Sequence, residues 1–132
     1  MTTISVITPT LDAGEYIADC LSAVADCSSV LEHIVVDGGS TDATKACVLE
    51  AGARFELLAG SSIYTAMNHG ARVATGDVLL FANADDVLLG DGVDAALRQL
   101  RCSPCPWLVG AIRMTDVRLE PIRMYRPPRR LG

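Results

Sequence analysis

Short apolar runs alternate with amphipathic stretches along most of the chain. Residues 4–8 read as a short buried strand with Pro9 placed to stop it. Over residues 15–25, Ile17, Leu21 and Val24 recur on one helical face. Residues 32–36 predict a second strand ending at Asp37, followed by a Gly38-Gly39 turn. Ser40 is placed as the N-cap of a helix over 41–51, with Gly52 to end it. A third strand is expected over 55–59, a helix over 64–74 closed by Gly76, and a strongly apolar, buried strand over 77–82. A helix over 92–101 and a strand pair over 107–114 and 117–124 complete the pattern.

Strands that alternate with helices imply βαβ units and a mostly parallel central sheet, an α/β fold of three α/β/α layers. In such sheets ligands bind beyond the carboxyl ends of the strands. Polar residues gather at three of those ends: Thr8-Pro9-Thr10, Asp37-Gly38-Gly39-Ser40 and Asn83-Ala84-Asp85-Asp86.

With 132 residues, half of them hydrophobic, the chain is the size of one domain with a real core. Its longest uninterrupted apolar run, residues 78–82, is far below the roughly 20 residues of a membrane helix. The first ten residues have neither a basic segment nor an apolar one, so a cytoplasmic location is expected. Five cysteines, an odd count, argue against a disulfide framework. Cys102 and Cys105 have C-x-x-C spacing, but zinc needs two more ligands, and His33 and His69 lack ligand spacing. The cysteines therefore read as structural or incidental thiols.

Charge is uneven. Residues 1–112 carry 5 basic and 14 acidic side chains, whereas residues 113–132 carry 6 arginines and 2 acids. The acidic body disfavours nucleic acid as a partner, because phosphate needs a basic face. The basic end allows peripheral contact with an acidic membrane surface, although a solvated, frayed end accounts for it more simply.

Three motifs carry chemistry. Asp37 at a strand end is placed to accept hydrogen bonds from a base or ribose, Gly38 and Gly39 let a ligand approach the backbone, and Asp42 suits a helix N-terminus. A capped turn without a ligand explains the same residues. Asp85 and Asp86 repel each other unless a proton or cation intervenes, and oxygen ligands suit Mg2+ or Mn2+. An acidic turn is the plain alternative. Asn68 on the helix over 64–74 reaches toward the ligand face, with Met67 in the core and His69 read as structural.

Taken together, the blocks at residues 4–10, 34–44, 63–70, 74–77 and 81–86 resemble family 2 glycosyltransferases, in the family's order and over residues 4–126. The nearest resemblance is to bacterial enzymes of surface polysaccharide or glycolipid synthesis. It implies a GT-A (Rossmann-like) fold and inverting transfer of a sugar from a nucleotide-diphosphate donor to a hydroxyl on a glycan or lipid-linked acceptor. By the resemblance, Thr8, Pro9, Thr10, Glu15, Asp37, Gly39, Ser40, Asn68, Gly70 and Asp85 belong to the nucleotide-sugar site. The resemblance also implies that Asp85 and Asp86 hold the divalent ion.

The sequence departs from the family at Leu11-Asp12, where an aromatic and Asn are usual, and at Asn83, which replaces the first Asp of a D-x-D pattern. The family's general base has no counterpart here. The expectation is a truncated GT-A domain over 1–126 with a basic Pro/Arg tail over 127–132. Such a chain would bind a donor, transfer little and tend to self-associate into homo-oligomers through uncovered apolar surface. The rival readings are a non-catalytic nucleotide-binding module and a plain doubly wound interaction domain.

Overall fold

The computed structural model describes residues 1–127. Of the expected Pro/Arg tail, residues 128–132, with Arg129 and Arg130, lie outside the described residues. In chain order the elements are β1 (Ile4–Thr10), α1 (Ile17–Ala25), β2 (Val30–Asp37), α2 (Thr44–Glu50) and β3 (Arg54–Leu57). Then follow α3 (Ile63–Val73), β4 (Val78–Phe81), α4 (Gly90–Cys102), β5 (Ile112–Thr115) and β6 (Pro121–Tyr125). The contacts divide into two compact units, Met1–Asp94 and the residues from Ala95 on.

In the first unit four parallel strands lie in the order β3-β2-β1-β4. The expected α/β class and parallel sheet are both present. Ala13, Ile17, Leu21, Val35 and Val48 pack α1 and α2 against one face of the sheet. Ile34, Val36 and Ala66 pack α3 against the other. These are the three α/β/α layers, and they arise because each parallel connection returns through a helix that covers a face.

The elements differ from the sequence expectation in instructive ways. Pro9 does not stop β1, which runs on to Thr10 in register with Asp37. Backbone groups along a parallel strand point alternately to its two neighbours. The Ile7 carbonyl faces β4, accepting from Ala82 at 3.1 Å, while the Thr10 carbonyl faces β2, accepting from Gly38 at 2.9 Å. Pro9 shares the parity of Ile7, so its missing N–H points past Phe81, where β4 has already ended, and no ladder bond is lost.

The 77–82 run, expected as a buried strand, forms β4 at the edge of the described sheet, with Leu79 and Phe81 41% and 49% exposed. Strand β1 is buried as expected, at every residue. Helix α2 begins at Thr44 rather than at 41, because Asp42 Oδ1 accepts the Thr44 amide at 2.9 Å and Ser40 is engaged elsewhere. Helix α3 is capped by Ser62, whose hydroxyl accepts from the Thr65 amide at 3.2 Å. Gly52, at φ +73°, ends α2 as its place in the sequence suggested.

In the second unit β5 and β6 form an antiparallel ribbon pairing Ile112 with Tyr125 and Met114 with Arg123. The Arg123 guanidinium stacks 4.8 Å from the Tyr125 ring centre.

Candidate nucleotide-sugar site

β1, β2 and β4 are parallel and adjacent, so the Thr8–Thr10 end, the Asp37–Ser40 loop and the Asn83–Asp86 turn all leave the same edge of the sheet. The Asp37 carboxylate is buried, 2% exposed, and is held by its own loop. Its Oδ2 accepts from the Gly39 amide at 3.1 Å and the Ser40 amide at 2.8 Å, and its Oδ1 accepts from the Ser40 hydroxyl. Gly39, at φ +108°, adopts a backbone that side chains rarely take, which is what lets the loop wrap the carboxylate. A carboxylate offers about four lone-pair directions, so one remains for a ligand. Ser40, expected as a helix cap, thus serves Asp37 instead.

The Asn83–Asp86 segment is a closed turn. The Asp86 amide donates to the Asn83 carbonyl at 3.0 Å, and the Asp86 Oδ2 accepts from the Asn83 amide at 2.8 Å. Asp85 projects from this turn, exposed. From α1, the Cys20 thiol donates to the Asn83 carbonyl at 3.5 Å, tying the turn to the body of the unit. Burial pushes that thiol up to about 11, relieved in part by a bond with Thr8, with Asp86 and Asp85 adding to the rise. Burial thus favours its protonated form. All five cysteines are free thiols.

Among the described residues no cluster of three or more His, Cys, Asp or Glu side chains is arranged to hold a metal. The donor set at this edge is the free Asp85 carboxylate and the unshared oxygen of Asp86. That set fits a hard cation that keeps water and takes its remaining ligands from a diphosphate, as Mg2+ does.

Other expected site residues stand differently. Thr8 is fully buried and bonds His33 Nε2 at 2.8 Å, facing the α1 layer rather than the sheet edge. Burial lowers His33 to about 4, so the ring is neutral. Pro9 is buried within β1, and Thr10 is buried with its hydroxyl unpartnered. Glu15 is exposed in the turn before α1, and Asn68 is exposed on α3. Gly70 also packs: a Cβ there would lie 2.5 Å from Ile7 Cγ2, so glycine lets α3 press on β1. His69 Nε2 meets Glu56 at 3.2 Å.

Sequence reasoning missed the bracing of the two loops. The amides of Asp12, Ala13 and Gly14 donate to Ser40 Oγ at 2.8 Å, Thr44 Oγ1 at 2.9 Å and Asp42 Oδ2 at 2.8 Å. Bonds from the Thr44 hydroxyl, then the Thr44 and Gly14 amides, hold the Asp42 carboxyl below its usual range. The signal was available: a run of short polar side chains, Ser40-Thr41-Asp42 and Thr44, exceeds what one helix cap uses.

The sequence matches the glycosyl transferase family 2 profile over residues 5–125. A PGL/p-HBAD biosynthesis glycosyltransferase of Mycobacterium tuberculosis is 38% identical over 92 residues, covering 64% of this chain and 36% of that protein. Glucosyl-3-phosphoglycerate synthase from M. tuberculosis in complex with UDP aligns at 26% identity, TM-score 0.59, over 67% of this chain and 35% of that one. The same synthase with Mn2+, UDP and glucosyl-3-phosphoglycerate aligns at 23% identity, TM-score 0.65, over 75% and 39%, a likeness of fold. The chain has the GT-A fold and belongs to glycosyl transferase family 2. It spans 36% of the length of the curated relative.

Proposed function

We propose that this chain supplies the donor-binding side of a glycosyltransferase that takes its sugar from a nucleoside diphosphate, with Mg2+ or Mn2+ at Asp85 and Asp86. One observation carries the reading: a buried, loop-wrapped carboxylate with one free lone-pair direction, Asp37, shares a sheet edge with the free carboxylate of Asp85. Asp37 takes the base or ribose, with Gly39 and Ser40 shaping the loop around it. The amides of Asp12–Gly14 and of Gly39, Ser40 and Thr44 are already bonded to side chains. With those amides engaged, a cation is the fitting counter-charge for a diphosphate. Bound there, it would neutralise the diphosphate as it leaves.

In the reaction the acceptor hydroxyl forms a bond to the anomeric carbon. The bond from that carbon to the diphosphate breaks with inversion, and a base takes the hydroxyl proton. The acceptor, by the kinship with the mycobacterial relative, is a hydroxyl of a glycolipid or surface polysaccharide. Catalysis at the cytoplasmic face of a membrane suits such an acceptor. A second reading is a donor-binding module that transfers little sugar by itself.

Calorimetry of UDP binding with Mn2+ and with excess chelator tests the site. Asp85→Asn, which alters an exposed side chain, should weaken Mn2+-dependent binding by about 1–3 kcal/mol, the scale of a lost bond to a charged group. Equal affinity in chelator, or in Asp85→Asn combined with Asp86→Asn, removes the metal from the reading. Labelled UDP-sugars offered with lipid and glycan acceptors separate the two readings, since turnover near the per-second scale (about 1 per second or faster) excludes the module.

A further inference from the structure

The bracing between the β1–α1 and β2–α2 loops is reciprocal at one residue. The Asp12 amide donates to Ser40 Oγ, and the Asp12 Oδ1 accepts from the Thr41 amide, both at 2.8 Å. The side chain does this from a left-handed backbone, φ +49°, which Asp, Asn and Gly tolerate better than other residues because a short polar side chain bonds locally. Ser40 passes the restraint on, since its hydroxyl and amide are two of the three donors that hold Asp37. Asp12, Ser40 and Asp37 therefore form one relay from the end of the β1–α1 loop to the buried carboxylate. Ala13 and Gly14 tie the loops through backbone amides alone. A Cβ on Gly14 would lie 2.9 Å from Asp42 Oδ2, so the two loops are in close contact there too.

We propose that Asp12 is a positioning residue of the nucleotide site. It does not touch the ligand; its carboxylate holds the Thr41 amide, and so the neighbouring Ser40 that holds Asp37, while its own amide, which a glycine keeps, bonds Ser40 Oγ, so that the remaining lone pair of Asp37 is presented in one direction. The role needs an acceptor oxygen and a left-handed backbone, not a charge, which is why asparagine should serve as well as aspartate. The inference rests on the nucleotide reading above, and its test is chosen to fail separately from it.

Two variants suffice. Asp12→Gly keeps the backbone conformation and removes the acceptor, and Asp12→Asn keeps both. Two measurements are made on each: exchange of the Thr41 amide hydrogen without nucleotide, and UDP affinity in Mn2+ by calorimetry. In Asp12→Gly, Thr41 exchange should speed about tenfold and UDP should bind about tenfold more weakly, the scale of one hydrogen bond. Asp12→Asn should match the wild-type chain in both. The proposal is overturned if Asp12→Gly leaves Thr41 exchange unchanged, if Asp12→Asn behaves like Asp12→Gly, or if the affinity loss merely follows a lower melting temperature and a smaller folded fraction. If the wild-type chain binds no nucleotide, the functional reading fails. Faster Thr41 exchange in Asp12→Gly, restored in Asp12→Asn, would still establish the latch, and unchanged exchange would overturn it.

Discussion

Ile7 and Ile34, in the parallel sheet, are each 0% exposed, whereas Ile112 and Ile122, in the antiparallel ribbon, are 60% and 70% exposed. The residue type is the same; the connections differ. Joining two parallel strands requires a crossover, and in the first unit α1, α2 and α3 supply it and cover both faces. Joining β5 to β6 takes only the short turn at Asp116–Glu120, whose bonds gather on the Asp116 carboxylate. That turn brings no third element to cover either face. A two-stranded ribbon alone is marginal in water, and this one keeps Met114, Met124 and Tyr125 exposed as well. An apolar sequence therefore makes a core only where the chain path returns to cover it.

The largest effect should come from cutting into the covered face. Ile34→Ala leaves a cavity between β2 and α3 and should cost about 2–5 kcal/mol of unfolding free energy, measured by urea titration. A cost below about 1 kcal/mol would mean that the two covered faces pack no better than the ribbon.

A smaller effect concerns the buried histidine of the same sheet. His33 is lowered to about 4 by burial, so the folded chain holds it neutral while the unfolded chain protonates it near its ordinary value of 6.5. The unfolded state then binds more protons between those values. The contribution of His33 is accordingly whole above pH 6.5, is lost as the pH falls toward 4, and levels off below. The shift corresponds to about 3 kcal/mol at most. His33→Gln, which retains a partner for the Thr8 hydroxyl, should flatten this part of the pH profile relative to the unaltered chain. Parallel profiles for the two proteins would assign the pH dependence to other groups.

The smallest effect should come from the ribbon. Ile122→Ser removes an exposed side chain and should change stability by no more than about 0.5 kcal/mol. A loss above about 1 kcal/mol would show that this face is covered in solution, and sedimentation would then tell whether a second copy covers it.

How much of this was legible in the sequence depends on how local each cause is. The strand–helix alternation, the Gly52 helix stop and the Gly38-Gly39 turn beside Asp37 follow from periodicity and from backbone chemistry within a few residues. The placing of Asp37 and Asp85 at one edge was legible too, since parallel strands end on the same side. The partners of Thr8 were not legible, because strand periodicity fixes which residues share a face but not which layer that face meets; His33 and Cys20 lie beside it on the α1 side.

The sequence by itself determined the α/β class, the family and the position of the two candidate carboxylates, because each is carried by residues adjacent along the chain. The tertiary structure alone decided that Pro9 sits harmlessly inside β1, that Ser40 serves Asp37 and Asp12 rather than a helix, that Gly70 is a contact surface for Ile7, and that the most apolar run lies at an edge. Each of these depends on a partner brought near by the sheet order β3-β2-β1-β4. Hydrogen bonds and steric contacts act over a few ångströms in space, and separation along the chain does not reveal which groups the fold brings within that range.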